Sequence, residues 1–372
     1  MSAGLYIHIP FCKSRCIYCD FYSQTKLETK NYINALINEA KNYKKEWENI
    51  KFNTIYFGGG TPSLLKPEEI ATIINNVRSL FCFDSDTEIT LECNPDDVDE
   101  KFAYKISQTG VNRISIGIQS LDDKTLKFLS RRHNSQQAIN AIDSFIKAGI
   151  ENLSVDLIYG IPALTAESWI KQLKTIASLH VKHISAYMLT THENTLLSRM
   201  QYENTVNMPS EDECYEQYLL TQKILSEANI QQYEISNFAV PGYESRHNQK
   251  YWEGEPWLGL GPSSHSYKNP KRWANIADTK MYINDPHKFA ESRNSEILDE
   301  KSQYNEYIMN HLRTTRGLDI VELEKLFPKY IKHFKLNIDL LNKEWYHFQY
   351  NQFYLSQKGM FVSDYITAKL FL

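Results

Sequence analysis

The sequence predicts an α/β fold in which parallel strands form a closed or partly closed barrel, followed by a small C-terminal domain of helices and strands. Short β-rich runs alternate with amphipathic helical stretches from residue 4 to about residue 236, which is typical of parallel strands joined by right-handed crossovers. Polar or glycine-rich residues stand at the ends of successive strands, which favours a barrel over an open doubly wound sheet. After about residue 280 the alternation stops.

Six strands follow from the β-rich runs and the turn residues that bound them. They are predicted at 5–10, 53–57, 88–92, 112–119, 153–159 and 183–189, with 232–236 as a candidate seventh. Apolar residues at helical spacing predict helices at 30–47, 68–81, 98–109, 122–129, 135–148, 166–179 and 210–228. In the first helix Ile33, Leu36 and Ala40 share one face. Pro67 suits the first position of the second helix.

The last part of the chain predicts a small winged-helix-like domain. Helices are expected at 304–314, 320–327, 331–342 and 362–371, with a hairpin at 347–356. Residues 301–372 carry 10 Lys and Arg against 7 Asp and Glu, a balance of only +3 without a dense basic stripe. We therefore expect a lid or docking element rather than a DNA-binding domain. The predicted division is a barrel at 1–235, a connecting segment at 236–280 and a C-terminal domain at 281–372.

Composition excludes several classes of protein. A net charge of -4 gives no general attraction to nucleic acid or anionic membranes. Six cysteines in 372 residues are no disulfide scaffold, and Cys82, Cys93 and Cys214 are predicted to be isolated, buried small residues. The first residues lack the pattern of a secretory leader, and no apolar run reaches membrane-spanning length. We expect a cytoplasmic protein without a nucleic-acid partner or an integral membrane segment.

Three cysteines, Cys12, Cys16 and Cys19, follow the first predicted strand at the spacing C-x3-C-x2-C. A structural zinc site is usually closed by four ligands, and the sequence has no second C-x2-C pair. A thioredoxin-like C-x-x-C pair needs only Cys16 and Cys19 and would leave Cys12 without a role. The polar residues 13–15 argue against the alternative that the three cysteines are buried as apolar side chains. Three thiolates suit a four-iron cluster, which normally takes four. Such a site would leave one iron open to a small molecule.

This spacing, followed by Asp20-Phe21-Tyr22, resembles the signature of the radical S-adenosylmethionine (SAM) superfamily. The resemblance implies a [4Fe-4S] cluster on Cys12, Cys16 and Cys19. The open iron of this cluster is chelated by the amino and carboxylate groups of SAM. It also implies a partial (β/α)6 barrel, which about six predicted strands suit better than a full eight-stranded barrel.

The glycine-rich turn 58–61 lies between the second strand and the second helix, where glycine lets the backbone approach a ligand closely. On its own, it is equally well explained as a tight turn. The corresponding motif of the superfamily binds the methionine end of SAM, and the resemblance gives that role to Gly59, Gly60 and Thr61. Tyr6 matches another SAM-contacting position, although packing on the barrel would also explain it.

Four further polar residues match SAM-contacting positions. Glu92 ends an otherwise apolar strand and needs a partner, because an unpaired buried carboxylate is costly. The resemblance makes that partner the SAM ribose, and a salt bridge to a loop is the alternative. Gln119, Arg131 and Asp156 resemble the remaining positions. Each of these residues has a simpler explanation by itself, since Gln119 could cap a strand and Arg131 could be a solvated charge at a helix end. The match therefore depends on their order and placement along the chain.

Within the superfamily, the pattern resembles the branch that holds the oxygen-independent coproporphyrinogen III oxidases and related haem chaperones. The resemblance runs from Tyr6 to about Tyr267 and, less specifically, through the last domain. Two departures from the oxidases favour a chaperone. Phe21 stands where the oxidases have a fourth cysteine, and only Met1 to Leu5 precede Tyr6 where the oxidases have an extension.

The run His247-Asn248-Gln249-Lys250-Tyr251-Trp252 resembles an H-N-x-x-Y-W motif of these chaperones that has been proposed to bind haem. Imidazole is a common axial ligand of haem iron, and the two aromatic residues offer flat apolar surface. His247 is therefore the candidate haem ligand, with a purely structural histidine as the alternative. His8, His133 and His265 are the next candidates.

The leading hypothesis is a haem chaperone that keeps a radical SAM core and passes haem to apo-acceptor proteins, with an electron donor as a further partner. The alternative is a coproporphyrinogen oxidase. There, SAM would be cleaved to methionine and a 5′-deoxyadenosyl radical that takes hydrogen from a propionate side chain. A zinc-stabilised regulatory protein serves as the control hypothesis. The sequence leaves open whether SAM is turned over.

Overall fold

The computed structural model describes residues 2–372, and six parallel strands form its centre. Each of these strands pairs in parallel with the next one along the chain. They are β1 (Ser2–Ile9), β2 (Lys51–Gly59), β3 (Cys82–Cys93), β4 (Arg113–Gln119), β5 (Leu153–Tyr159) and β6 (His183–Met188). The predicted class of fold, a partial barrel of strand-helix units, is confirmed.

Six helices lie between these strands, and two more follow directly after the last of them. They are α1 (Thr29–Tyr43), α2 (Pro67–Leu80), α3 (Glu100–Ser107), α4 (Asp123–Phe128), α5 (Ser135–Lys147), α6 (Ala166–Ala177), α7 (Leu196–Tyr202) and α8 (Glu211–Glu227). Side-chain caps fix where several begin. Asp99 accepts from the N–H of Phe102 at the start of α3, and Ser210 with Glu213 forms a capping box at the start of α8. The short helix α7 was not predicted.

The two faces of the central strands differ in chemistry. Along β1, Leu5 and Ile7 are fully buried in the apolar core. The alternate residues Tyr6 and His8 share the other face, because side chains alternate along a strand. Parallel strands covered on both faces are usually apolar throughout. The polar inner face of this barrel therefore indicates that the interior holds a site.

Segments after α8 extend the sheet at both edges. The added strands are β7 (Gln231–Gln232), β8 (Asn237–Ala239), β9 (Trp257–Leu260), β10 (His265–Lys268), β11 (Lys271–Ala274) and β12 (Asn294–Ile297). The full order is β12-β11-β10-β9-β1-β2-β3-β4-β5-β6-β8-β7, with β9 parallel to β1 and β8 antiparallel to β6. The helices among them are α9 (Arg246–Trp252), α10 (Thr279–Asn284) and α11 (Pro286–Glu291). The domain boundaries at residues 235 and 280 stay predictions.

The remaining elements form a small α+β unit around a three-stranded antiparallel sheet. They are α12 (Glu300–Leu312), β13 (Leu318–Asp319), α13 (Ile320–Leu326), α14 (Ile331–Ile338), β14 (Tyr346–Gln349), β15 (Gln352–Leu355), α15 (Gln357–Phe361) and α16 (Ser363–Leu370). The strand order of this sheet is β13-β15-β14. Tyr350 and Asn351, both at positive φ (49° and 66°), make the two-residue turn of the predicted hairpin. The ring of Phe361 lies 5.0 Å from that of Tyr215 on α8, so this unit packs on the barrel.

Two further expectations concern the cysteines and membranes. Cys93 and Cys214 are buried as predicted, but Cys82 is exposed. That prediction was wrong because Cys82 is the first residue of β3, before the strand enters the core.

Among the helices of residues 2–372, none combines the length and the apolar character needed to cross a membrane.

Candidate functional site

A cavity of about 530 Å³ opens at the carboxyl ends of the parallel strands. Most of the site residues predicted from the sequence line it. These are Cys12, Cys16, Cys19, Gly59, Gly60, Thr61, Glu92, Gln119, Arg131 and Asp156. Tyr6 and His247 are not among the lining residues. The barrel therefore gathers groups spread over about 145 residues of sequence at one mouth, which is where such folds place their sites.

Backbone hydrogen bonds hold the cysteine loop at the end of β1. The N–H of Cys12 donates to the carbonyl of Gln24 at 3.0 Å, and the N–H of Gln24 donates to the carbonyl of Pro10 at 2.7 Å. The N–H of Cys19 donates to the carbonyl of Cys16 at 3.3 Å. All three cysteines are free and only partly buried. Their thiols therefore stay accessible from the cavity.

The thiols suit a cluster better than a single ion. No three His, Cys, Asp or Glu side chains of residues 2–372 are grouped closely enough to hold one metal ion. A four-iron cluster takes one thiolate on each iron, so its ligands need not converge on one point. The guanidinium of Arg131 lies 3.4 Å from the Cys16 sulfur and would balance thiolate charge. Burial raises the pKa of the Cys19 thiol, so bound iron would have to displace its proton.

The glycine run has no room for side chains. Gly59 has φ +107°, and a Cβ there would lie 2.5 Å from the His8 ring. A Cβ on Gly60 would lie 2.7 Å from the carbonyl oxygen of Phe11. The next residue, Thr61, places its hydroxyl 3.4 Å from the Cys12 sulfur. The two glycines therefore contribute only backbone to the space beside the cysteines, and Thr61 adds a hydroxyl.

Glu92 has a phenol as its partner. The hydroxyl of Tyr56 donates to Glu92 Oε1 at 2.8 Å. Burial, the largest cause, and the nearby charge of Asp156 together raise the pKa of Glu92 to about 7, against the lowering effect of the hydrogen bonds from Tyr56 and the Gly59 N–H. A carboxylate whose pKa is raised by burial at a cavity wall is a candidate ligand-binding group. Sequence reasoning missed Tyr56, although it occupies the inward position of β2 next to Tyr6.

Arg131 is a buried organising group, not a solvated charge at a helix end. Its Nη2 donates at 2.6 Å both to Asn94 Oδ1 and to the carbonyl of Gly117. Its Nε is buried without a hydrogen-bond partner in the part of the chain that is described. Such a donor is costly unless something else satisfies it. Asn94 was not predicted, and its position directly after β3 is the signal that would have found it.

Gln119 and Asp156 sit on neighbouring strands. Gln119 has φ +66°, and the register between β4 and β5 shifts between Gly117 and Gln119. This bulge turns the end of β4 toward the cavity. Ser115 donates to Asp156 Oδ1 at 3.2 Å, and burial raises the pKa of Asp156.

Tyr6 lies one layer below the cavity. Its hydroxyl is 3.2 Å from His8 Nδ1, and its ring stacks on Tyr56 with centroids 6.2 Å apart. Burial, followed by the charge of Glu92, raises the pKa of Tyr6.

His247 on α9 is buried away from the cavity. Its Nδ1 lies 2.8 Å from Thr54 Oγ1, and its Nε2 lies 2.9 Å from the hydroxyl of Tyr251. Burial lowers the pKa of His247 to about 3. The other histidines named as candidates also lie outside the cavity lining. His8 and His133 are buried with Nε2 near backbone carbonyls, whereas His265 is exposed.

A partial parallel barrel with a three-cysteine loop at its mouth defines a radical SAM protein. A family model described as the radical SAM superfamily matches residues 6–176. A relative named heme chaperone HemW from Lactococcus lactis is 31% identical over 99% of this chain and 97% of its own length. The HemW of Bacillus subtilis is 30% identical over 96% of each. The chain therefore belongs to the HemW family of the radical SAM superfamily.

A solved structure shows the same fold. Coproporphyrinogen III oxidase (HemN) from Escherichia coli, described as a radical SAM enzyme, superposes with a TM-score of 0.85. The match covers 99% of this chain and 90% of that chain at 21% sequence identity. At this identity the likeness concerns the architecture of the barrel and the small C-terminal unit.

Proposed function

We propose that this protein is a haem chaperone that binds haem beside a [4Fe-4S] cluster and SAM, and transfers haem to acceptor proteins. The observation that carries the proposal is similarity over nearly the whole chain to proteins named heme chaperone. The cavity supports it, because three accessible thiols and the predicted SAM-contacting groups other than Tyr6 share one mouth.

In this proposal Cys12, Cys16 and Cys19 each bind one iron, and the fourth iron is open to SAM. Bound cluster and SAM would supply one-electron chemistry, with an electron donor as the partner. Gly59, Gly60 and Thr61 form the backbone cradle for the methionine end of SAM.

The remaining groups would orient the rest of the SAM molecule. Glu92, when ionised, accepts hydrogen bonds from the ribose hydroxyls. Gln119 and Asp156 line the same cavity. The unpartnered Nε of Arg131 offers a donor at the cavity. Tyr6 supports this wall from below through Tyr56.

Three parts of the proposal concern the setting of the protein. Residues 281–372 act as a lid or docking element on the barrel. The protein works in the cytoplasm, where thiols stay reduced. Its acceptors are apo-proteins that take haem. The motif predicts His247 as the haem ligand, but its ring nitrogens would have to leave Thr54 and Tyr251 to reach iron.

The competing function is coproporphyrinogen oxidation. The E. coli oxidase shares the fold, but Phe21 occupies the place where a fourth cysteine stands in the oxidases' motif. Anaerobic purification and reconstitution, followed by parallel assays of haem binding and coproporphyrinogen conversion, separates the two. We expect about four iron and four sulfide per chain, a Soret band on adding haem, and no protoporphyrinogen. Robust formation of protoporphyrinogen would establish the oxidase instead, and stoichiometric zinc without sulfide would refute both.

A further inference from the structure

The cavity has a second group of lining residues that the cluster and SAM assignments leave without a role. Phe21 belongs to the cysteine loop, while Tyr187 and Met188 end β6. These large side chains belong to residues that are 71%, 42% and 39% exposed, respectively. An apolar surface that continues into a binding cavity marks a place where a ligand or partner docks. We call these three residues the mouth surface.

Backbone hydrogen bonds hold both sides of the mouth surface in place. The N–H of Leu197, in α7, donates to the carbonyl of Ile17 in the cysteine loop at 2.9 Å. The N–H of Leu189 donates to the carbonyl of Tyr159 at 2.8 Å, which continues the pairing of β6 with β5. The mouth surface is therefore part of the scaffold, so it can present a preformed face to a ligand.

One imidazole stands at this rim. His192 is exposed, and it is the histidine that lines the cavity among residues 2–372. Its Nε2 lies 3.1 Å from Thr190 Oγ1, which leaves Nδ1 without a hydrogen bond in the described part of the chain. Both ring nitrogens of His247, in contrast, face protein hydroxyls. An axial ligand of haem iron needs a free imidazole nitrogen, and His192 has one without any rearrangement.

We propose that haem docks at the barrel mouth, with His192 as an axial ligand and the macrocycle against Phe21, Tyr187 and Met188. The inference rests on the proposed chaperone function and deepens it by naming where haem binds. A porphyrin is flat and largely apolar, so aromatic and thioether side chains suit its faces. Arg15 is exposed at the same rim and offers a guanidinium to a haem propionate.

This placement puts haem between the SAM site and solvent. The mouth surface and the predicted SAM-contacting groups other than Tyr6 line a single cavity. Haem on the mouth surface would therefore cover the cluster and SAM, whereas haem on α9 would leave the cavity open.

The test is an anaerobic haem titration of the full-length, cluster-reconstituted protein, followed by difference absorbance in the Soret region and by EPR of ferric haem. We expect His192→Ala to shift the Soret maximum, change the EPR signal and weaken haem binding about tenfold or more. Phe21→Glu places a charge against the macrocycle and should weaken binding without removing the axial ligand. His287→Ala, an exposed histidine on α11, is the matched control and should behave like wild type.

Iron content and circular dichroism of every variant establish that fold and cluster are intact. If the wild-type protein binds no haem, the proposed chaperone function is wrong. The proposed haem site at the mouth is then wrong as well, because it depends on that function. If wild-type protein binds haem but both mouth variants match it, the mouth site is overturned while the chaperone function stands. Loss of the Soret band in His247→Ala alone would place the axial ligand in the H-N-x-x-Y-W motif and would also overturn the mouth site.

Discussion

The inside of the barrel has two polar regions that differ in how their hydrogen bonds are satisfied. The first is the mouth, where the cysteines, the glycine run and Glu92 line the cavity. The second, which we call the floor cluster, consists of Thr54, Tyr56, Glu88, His247 and Tyr251. Thr54 and Glu88 lie opposite each other in the register of β2 and β3, about five residues before those strands end.

In the floor cluster the protein supplies the hydrogen-bond partners of His247. The two ring nitrogens of His247 face Thr54 and Tyr251, and its backbone N–H donates to Glu88 Oε1 at 3.1 Å. At the mouth, Arg131 Nε is buried and unpartnered. Buried polar groups are normally satisfied, so an exception at a cavity indicates a place for a ligand. We therefore infer that the floor cluster stabilises the barrel, whereas the mouth offers an unpartnered donor to a ligand.

The largest effect is expected at the mouth. Cys16→Ala removes one thiolate from a three-thiolate site. The iron and sulfide content should therefore fall from about four of each per chain to nearly none. Cys12→Ala and Cys19→Ala should do the same. Iron and sulfide analysis after reconstitution checks this, with the exposed Cys82→Ala as the matched control. Full iron content in any of the three variants would contradict the assignment.

In the floor cluster the expected loss is in stability. His247→Ala leaves the hydroxyls of Thr54 and Tyr251 without a partner and removes a ring that stacks on Tyr56 at 5.0 Å. We expect the free energy of unfolding to fall by about 3 kcal/mol. Urea denaturation measures it.

The exposed His287→Ala serves as the matched control and should change stability little. An equally stable His247→Ala protein would mean that the floor cluster is dispensable for the fold.

The sequence predicted the mouth better than the floor cluster, for a physical reason. Cysteines, glycines and Glu92 stand out because such residues are unusual at the end of a buried strand. The partners of His247 lie 193 and 159 residues away in sequence, at Thr54 and Glu88. No local pattern indicates a contact at that separation. The strand β9 was missed likewise, because its four residues carry little periodicity and its pairing with β1 is long-range.

The two regions should also respond to pH with opposite sign. The folded protein keeps a proton on Glu92 up to pH about 7, whereas the unfolded chain releases it near 4.5. Stability contributed by this proton is therefore greatest below pH 4.5 and is lost as the pH rises to about 7. His247, whose pKa falls from 6.5 to about 3, contributes stability above pH 6.5 that is lost as the pH falls.

Glu92→Gln isolates the carboxylate. Because ribose hydroxyls donate to the ionised form, SAM should bind wild-type protein more tightly as the pH rises through 7. The variant should bind SAM severalfold more weakly at pH 8 and show no such rise. Titration of the cluster's absorbance with SAM from pH 6 to 8 measures both. Parallel pH profiles in the two proteins would show that Glu92 does not contact SAM.

The smallest effect is expected at Tyr6, which lies between the two regions. Tyr6→Phe removes the hydroxyl that is 3.2 Å from His8 Nδ1 but keeps the ring stacked on Tyr56. We expect a loss of about 1 kcal/mol in the free energy of unfolding. SAM affinity should change by less than about threefold, because Tyr6 does not line the cavity. Tyr104→Phe, on the exposed face of α3, is the matched control. If SAM affinity fell much more than stability, the phenol would reach the ligand, and Tyr6 would belong to the mouth as the superfamily resemblance predicts.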